Sequence, residues 1–284
     1  MNLINIQDQV SGTRVSKVQF MSRSFSFLLR SLFQQNFTVS FGGSDFWLRA
    51  NKKKLGVDGY LYVYRDDYEP ELRDALLRYF QDGWLFIDIG ANSGYWSRFI
   101  AHRFSKSRII AFEPAQLTFE RLCRNLGQHS DRVHLRNVAV SDTESLAYLT
   151  ECSDPGSNYL SATQTGKTER VMLVTLDNEL LRDKWMGDYA KQCVIKIDVE
   201  GFELHVFKGA RRFLLACRPI IIFEFLERHL TRAHSAPGDI ITFLTELNYD
   251  IFGLSRISSS VPLQGVTSVE NMLRQQGNFI ALPN

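Results

Sequence analysis

Residues 85–97 read LFIDIGANSGYWS, in which an apolar segment typical of a buried strand leads into a bare loop. The loop holds Gly90 and Gly94 with only small side chains between them. In an open parallel sheet, ligands bind beyond the carboxyl ends of the strands. The missing Cβ at Gly90 would let a ligand approach the backbone, and the helix expected after Gly94 would pack close to the strand and offer free N–H groups to an anion. The stretch therefore predicts the ligand-binding edge of an α/β domain.

The spacing of the glycines distinguishes this loop from a dinucleotide-binding loop. A GxGxxG loop would carry a glycine where Asn92 stands, so a pyrophosphate fits poorly. The form Asp-x-Gly-x-x-x-Gly instead suits a ligand with an amino-acid end. Asp88 would pair with its ammonium group, while the loop around Asn92 and Ser93 would hold its carboxylate through backbone N–H groups. S-adenosylmethionine has such an end, and we predict it as the cofactor.

Strands and helices alternate from residue 84 onward. Predicted strands cover residues 85–88, 108–112, 133–140, 146–150, 193–199, 219–225, 249–254 and 278–282, and predicted helices cover residues 95–104, 117–126, 204–215 and 238–247. A short helix is also expected within residues 172–181. Near-continuous apolar strands that alternate with helices predict a mostly parallel sheet with helices on both faces.

The first 82 residues differ in character and are predicted to form an N-terminal extension, with residues 83–284 as the main domain. The segment around Gly42 and Gly43 alternates apolar and polar residues and predicts a β-hairpin. Residues 60–64 are predicted as a strand, and Pro70 suits the first turn of a helix that runs to residue 80.

Residues 15–33 predict an amphipathic helix. Its apolar residues fall roughly on one face, with Lys17, Arg23 and Arg30 elsewhere; they are Val18, Met21, Phe25, Leu28, Leu29 and Leu32. This face would contact an anionic membrane surface or an acidic substrate, or it would cover the main domain or form a homodimer contact. The sequence leaves these alternatives open.

Three other predicted strand ends carry side chains suited to a nucleoside or to catalysis. Glu113 follows the second strand of the main domain, where a carboxylate accepts both hydroxyls of a ribose. Ala139 leaves room for a flat ring, and Asp142 would either accept the adenine amino group or cap a helix. Asp198 and Glu200 end a buried strand, where charge is costly unless it is paired or functional.

The combined motifs resemble those of the FkbM-type methyltransferases. The matching segments in this sequence are DDYEPEL, FIDIGANSGYWS, IIAFEP, NVAVSD, VIKIDVEGFELHVFKGA, RPIIIFEF, LTELNYDIFGL and GNFIALPN. They cover about residues 60–284, and their order and spacing are more specific than any one of them.

The resemblance implies a class I methyltransferase fold, a Rossmann-like, seven-stranded sheet with an antiparallel final strand. It implies S-adenosylmethionine as methyl donor and O-methylation of a hydroxyl on a sugar, a glycan or a polyketide-like metabolite. Carried over by motif, the methionine-end loop contains Asp88, Gly90, Asn92 and Gly94. Glu113 matches the ribose-binding acid, residues 139–142 match the adenine side, and Asp198 and Glu200 match the acidic motif beside the methyl group.

Methyl transfer to a hydroxyl requires alignment of the acceptor oxygen and removal of its proton. Asp198 is the first candidate for general base and Glu200 the second. A structural role of Glu200 at the start of a helix is the alternative. Asp198, Glu200 and Glu224 would be the oxygen ligands if a divalent ion such as Mg²⁺ bound, although we do not favour metal dependence.

Composition and charge limit the classes of protein to which the sequence could belong. The chain of 284 residues has a formal net charge of +2, which gives no reason to expect nucleic acid as a partner. Its four cysteines, Cys123, Cys152, Cys193 and Cys217, form no CxxC pair and are expected as reduced thiols. No secretory signal or membrane-spanning run is apparent, so a cytoplasmic protein is expected.

Two other functions remain open: an RNA-modifying methyltransferase on the same fold, and a catalytically silent binding module. The acceptor is expected under residues 1–59 and a lid-like loop at residues 153–168.

Overall fold

A computed structural model describes residues 15–41, 44–49, 55–150, 159–161, 164, 168–182, 192–233, 235–254, 265 and 269–284. The helices are α1 (Lys17–Phe33), α2 (Gly56–Tyr64), α3 (Pro70–Tyr79), α4 (Tyr95–Arg103), α5 (Gln116–Leu126), α6 (Leu176–Arg182), α7 (Glu203–Gly209), α8 (Arg211–Cys217), α9 (Glu227–Arg232), α10 (Pro237–Glu246) and α11 (Val269–Gln275). The strands are β1 (Asn36–Phe41), β2 (Ser44–Arg49), β3 (Leu85–Ile89), β4 (Arg108–Phe112), β5 (Val133–Arg136), β6 (Ala139–Val140), β7 (Ser145–Thr150), β8 (Tyr159–Ser161), β9 (Thr168–Val174), β10 (Cys193–Ile197), β11 (Ile220–Phe225), β12 (Tyr249–Gly253) and β13 (Gly277–Pro283).

A seven-stranded sheet forms the centre of the main domain. Its strand order is β12-β13-β11-β10-β3-β4-β5. Strands β5, β4, β3, β10 and β11 pair in parallel, whereas β13 is antiparallel to both of its neighbours. The order confirms the predicted α/β class I methyltransferase architecture. The chain reverses its direction of travel across the sheet between β3 and β10, which is where such sheets bind ligands.

The pleat of the central strands explains their near-continuous apolar sequence. All five residues of β3 are buried. Phe86 packs into the cluster on one face of the sheet, while Leu85, Ile87 and Ile89 pack into the cluster on the other. Strand β10 alternates in the same way, with Val194 on the first face and Ile195 on the second. Both faces are therefore covered, and neither can carry the polar residues of a half-exposed strand.

A second, four-stranded sheet with the order β6-β9-β7-β8 was not predicted as a separate sheet, although the strand predicted at residues 146–150 is its β7. The strand predicted over residues 133–140 is interrupted at Asn137. Its first part is β5 of the seven-stranded sheet, and its last part is β6 of the second sheet. The Asn137 Nδ2 group donates hydrogen bonds to the carbonyl oxygens of Glu113 and Pro114, each at 2.9 Å. Residues 162, 163 and 165–167 of the predicted lid, together with residues 153–158, lie outside the described residues.

The N-terminal region has a hydrophobic cluster of its own, formed by α1, α2 and the predicted hairpin β1–β2. The strand predicted at residues 60–64 is wrong, because these residues belong to α2. The run from Leu61 to Tyr64 is buried throughout, and a short, continuously apolar run does not distinguish a strand from a buried helix. Helix α3 packs instead with the sheet, through Leu72 and Leu76. The division predicted at residue 82 stays a prediction.

Helix α1 forms as predicted, but the face that packs is not the more apolar one. Its buried residues are Phe20, Ser24, Phe27 and Ser31. All six residues that were predicted to share an apolar face are exposed, from Leu28 at 36% to Val18 at 77%. The face that carries Phe27 packs against the protein because the Phe27 ring fits between the rings of Phe37 and Tyr62, each at a centroid distance of 5.6 Å.

Two smaller predictions concern cysteines and the membrane. Cys123, Cys193 and Cys217 are free thiols, and Cys152 lies outside the described residues. Within the described ranges, the helices include none that is long and apolar enough to span a bilayer.

The orientation of α1 predicts very different losses of stability when two phenylalanines of the same helix are replaced. Phe27→Ala should lower the free energy of unfolding by about 3–5 kcal/mol, because it empties a fully buried ring site. Phe25→Ala, at a ring that is 69% exposed, should change it by less than about 0.5 kcal/mol. Equilibrium urea unfolding measures both, and equal losses would contradict the orientation.

Candidate active site

A cavity of about 720 Å³ opens at the carboxyl ends of β3, β4, β10 and β11. Of the residues predicted to form the site, eight line it, namely Gly90, Asn92, Ser93, Glu113, Ala139, Asp198, Glu200 and Glu224. Asp88, Gly94 and Asp142 do not line it. The volume lies in the range of small-molecule sites.

The glycines of the loop are required by the protein itself. Gly90 has φ +77°, and a Cβ there would lie 1.9 Å from the Asp198 carbonyl oxygen. Gly94 has φ +89°, and its Cβ would meet the Leu122 side chain of α5 at 2.6 Å. Contacts within the protein therefore require glycine at both positions, while the approach of a ligand to Gly90, which also lines the cavity, stays a prediction.

Asp88 lies beneath the loop, fully buried. The Ser97 hydroxyl donates a 2.6 Å hydrogen bond to its Oδ2, and Lys196 Nζ lies 3.6 Å from its Oδ1. Burial raises the pKa of Asp88, and the Lys196 ammonium group opposes that shift. Asp88 therefore supports Lys196 at the sheet centre and does not face the cavity, where the predicted ammonium group of the ligand would be.

Glu113 connects the end of β4 to the loop after β3. Its Oε2 accepts a 3.0 Å hydrogen bond from the Asn92 backbone N–H, and its Oε1 accepts one from Ala115. Burial raises the pKa of Glu113 to about 7, although both backbone donors favour the carboxylate. Each oxygen keeps a second lone pair for a ligand hydroxyl.

Residues 139–142 lie only partly at the cavity. Ala139 and Val140 line it, whereas Asp142 does not. Asp142 Oδ2 lies 3.1 Å from His205 Nδ1 on α7, and Asp142 Oδ1 accepts a hydrogen bond from Ser141. Asp142 is therefore engaged with protein groups outside the cavity.

Lys196 and Asp198 bring charge to the centre of the site. Lys196 Nζ lies 3.5 Å from Asp198 Oδ2, and the Asp198 side chain remains 34% exposed. Although burial alone lowers it, the carboxylates of Asp198 and Asp88 hold the pKa of Lys196 above its ordinary value. The ammonium group is therefore retained at neutral pH and holds both carboxylates.

Glu200 occupies a left-handed backbone conformation, with φ +57°, at the edge of the cavity. Burial, reinforced by Asp198 and Glu224, raises the pKa of Glu200 to about 9. The helix-start role that was its alternative belongs to Glu203, whose Oε1 accepts from the backbone N–H groups of Val199 and Gly201. The Glu200 side chain instead lies beside Arg232, with 3.8 Å between Glu200 Oε2 and Arg232 Nη2.

The possible metal ligands include two of the three that we predicted, Glu200 and Glu224. Among the described residues, the group with metal-like spacing is Glu200, Glu224 and His229, with ligand atoms within 4.8 Å of one another. His229 Nδ1 lies 3.0 Å from Glu200 Oε2 without the alignment of a hydrogen bond. Asp198 is absent from this group, because it is held towards Lys196, and His229 takes its place.

Glu69, a half-buried carboxyl group that also lines the cavity, was not predicted as a site residue. Trp96 Nε1 donates a 2.9 Å hydrogen bond to Glu69 Oε2, and Glu69 has φ +44°. Burial, followed by the charge of Asp198, raises the pKa of Glu69 to about 8. Its signal in the sequence was the acid directly before Pro70 in DDYEPEL.

Aromatic rings of the N-terminal region complete the wall beside Glu69. Tyr60 and Tyr64 of α2 line the cavity together with Tyr68 and Tyr95. The ring centroids of Tyr68 and Tyr95 lie 5.3 Å apart in an edge-on arrangement. The cavity therefore combines the glycine loop, a cluster of carboxyl groups and an aromatic wall.

Comparisons with known proteins agree on one family. Residues 88–251 match the methyltransferase FkbM domain. The hexuronic acid methyltransferase AglP of Haloferax volcanii is 29% identical over 196 residues, which are 66% of this chain and 73% of that protein. Methyltransferase 1 of Beauveria bassiana is 27% identical over 187 residues, covering 58% of this chain and 72% of that protein.

Two further similarities cover smaller parts of the matched proteins. The AMB antimetabolite synthetase AmbE of Pseudomonas aeruginosa is 34% identical over 85 residues, which are 29% of this chain and 4% of AmbE. The crystal structure of methyltransferase FkbM from Methylobacillus flagellatus aligns with a TM-score of 0.47 and 15% identity, over 78% of this chain and 52% of that one.

The contact between Gly90 and Asp198 predicts a loss of stability that exceeds the cost of a positive φ. Gly83 is the matched control, because it has φ +91° and nothing within 4 Å of an added Cβ. Gly83→Ala should cost about 1–2 kcal/mol. Gly90→Ala should cost about 1–3 kcal/mol more, because the backbone must also move. Urea unfolding of the two variants measures the difference, and equal costs would contradict the close contact.

Proposed function

The chain belongs to the FkbM methyltransferase family, and on that premise we propose that it transfers a methyl group from S-adenosylmethionine to a hydroxyl of a sugar or glycan. A hydroxyl of a polyketide-like metabolite is the alternative acceptor. The observation that carries the proposal is the position of Asp198 beside both Lys196 and the glycine loop, at the mouth of the cavity. The relative AglP is a hexuronic acid methyltransferase, which supports a carbohydrate acceptor.

The residues around the loop fit the parts of S-adenosylmethionine. In the proposed arrangement, the loop at Gly90, Asn92 and Ser93 binds the methionine end, Glu113 accepts hydrogen bonds from the ribose hydroxyls, and Ala139 faces the adenine. The free lone pairs of the buried Glu113 oxygens are the feature that fits a diol. When bound, this cofactor supplies an electrophilic methyl group on a positively charged sulfur.

Asp198 is the proposed general base. The Lys196 ammonium group fixes its carboxylate at 3.5 Å, while its exposed fraction leaves an oxygen free for an acceptor hydroxyl. Glu200 is the weaker candidate, since a carboxyl group with a pKa of about 9 is protonated at neutral pH. Glu200 and Glu69, whose pKa is raised to about 8, can instead donate hydrogen bonds that orient the acceptor.

The aromatic wall favours a carbohydrate or another compact ring as acceptor. Tyrosine rings offer apolar faces to the C–H groups of a sugar, and the neighbouring carboxyl groups offer partners to its hydroxyls. RNA is the competing substrate. Carboxyl groups at Glu69, Asp198 and Glu224 make a poor surface for a phosphate backbone, which requires basic contacts. Retention of this cluster also argues against a silent module.

Glu200, Glu224 and His229 would hold a divalent ion, which would lower the pKa of a nearby hydroxyl. Their mixture of two carboxyl groups and one imidazole suits Mn²⁺ or Zn²⁺ better than Mg²⁺. We propose that proton removal uses Asp198 and does not require this ion.

Methyl transfer to a panel of acceptors tests the proposed substrate class. Purified protein, labelled S-adenosylmethionine and glycosides of neutral sugars, hexuronate glycosides or bulk RNA are incubated with and without EDTA. We expect label in a carbohydrate methyl ether that survives alkali, with equal yield in EDTA. Label released by alkali would show a methyl ester and contradict hydroxyl methylation. Label in RNA alone would establish the competing function, and loss of transfer in EDTA would contradict the metal-independent step.

Two carboxylate variants separate catalysis from cofactor binding. Asp198→Asn should lower kcat by about 10²–10⁴-fold, because it removes the base, while the calorimetric Kd for S-adenosylmethionine changes little. Glu113→Gln should weaken that Kd about tenfold, since one charged acceptor is lost. Wild-type turnover of Asp198→Asn would remove the catalytic assignment, and unchanged affinity of Glu113→Gln would remove the ribose assignment.

A further inference from the structure

Helix α1 presents a broad apolar surface that no described residue covers. Among the described residues, 13 large hydrophobic side chains are exposed, and seven of them belong to this one helix. They are Val18, Met21, Phe25, Leu28, Leu29, Leu32 and Phe33. An apolar patch of this kind on a folded protein marks an interaction site. We refer to these seven residues as the α1 apolar face.

The α1 apolar face is continuous and is bordered by basic residues. At 100° per residue, its members fall within an arc of about 140°, and Ser22 is the polar residue inside it. Lys17 lies at one border, and Arg23 and Arg30 lie beyond the other. No acidic residue occurs between positions 15 and 33. A wide apolar arc on a helix whose charged residues are all basic is characteristic of helices that lie in a membrane interface.

Contacts within the protein hold helix α1 in position in the absence of a partner. Ser16 and Gln19 form a capping box at its N-terminus, and Phe20 and Phe27 anchor its opposite face in the N-terminal cluster. Arg23 Nη1 donates a 2.6 Å hydrogen bond to the Val63 carbonyl oxygen, and the Ser26 hydroxyl lies 3.0 Å from the Tyr62 hydroxyl. Binding through the apolar face would therefore not have to order the helix.

The charge pattern identifies the partner. A two-fold contact between copies of α1 would bring basic borders together without an acid to neutralise them. An anionic lipid surface supplies the opposite charge and an apolar layer together. We propose that α1 docks on the surface of a bilayer that contains anionic lipid, with the α1 apolar face at the boundary between headgroups and acyl chains.

Flotation of the full chain with lipid vesicles tests this proposal independently of methyl transfer. The vesicles contain phosphatidylcholine with or without 30% phosphatidylserine, in low and high salt. We expect flotation with the anionic vesicles and about tenfold less with pure phosphatidylcholine or in high salt. The double variant Phe25→Ser/Leu29→Ser should lower binding to anionic vesicles at least tenfold.

A matched control is Leu117→Ser/Leu215→Ser, which removes two leucines that are 53% and 51% exposed on other helices. It should bind vesicles as the wild type does, and urea unfolding checks that both double variants remain folded. Absence of wild-type flotation, or equal loss in the control, would overturn the proposal. A dimer in light scattering that Phe25→Ser/Leu29→Ser dissociates, without vesicle binding, would overturn it in favour of a contact between copies.

Discussion

The buried ammonium group of Lys196 is the interaction on which the site depends. It lies between Asp88 of β3 and Asp198 at the end of β10, at 3.6 and 3.5 Å. A charge at the centre of a sheet is costly unless it is paired, and removal of one partner leaves the others uncompensated. Lys196 thereby joins the two central strands at their carboxyl ends, which is also where the loop, the candidate base and the cavity meet.

Around this ion pair, burial raises the pKa values of three further carboxyl groups that line the cavity. These groups are Glu69, Glu200 and Glu224, and their raised pKa values favour the protonated forms in neutral solution. Protonated carboxyl groups tolerate mutual proximity and donate hydrogen bonds, whereas several carboxylates in one cavity would repel one another. In the proposed reaction, the side chain held by a cation would remove the proton, and the neutral acids would orient the acceptor.

Sequence reasoning succeeded where the signal was local. The bare loop, the strand ends at Glu113 and Asp198, and the alternation of the central sheet follow from residue types that lie close together in the chain. It did not predict that the Asp198 carbonyl oxygen leaves room only for glycine at position 90, or that Asp88 is buried next to Lys196. It also did not predict that α1 packs through the face that carries Phe27. Each of these depends on a contact between segments far apart in sequence, for which no local pattern exists.

Helix α2 contributes side chains both to the N-terminal hydrophobic cluster and to the lining of the cavity. Its Tyr62 packs against Phe27 in the N-terminal cluster, while Tyr60 and Tyr64 face the cavity. The part of the aromatic wall that lies on α2 is therefore built on a different hydrophobic cluster from the strands that carry the loop. Under the proposed function, exchange of the N-terminal segment would change selectivity for the acceptor and leave the strands and loop proposed for the methyl donor unaltered.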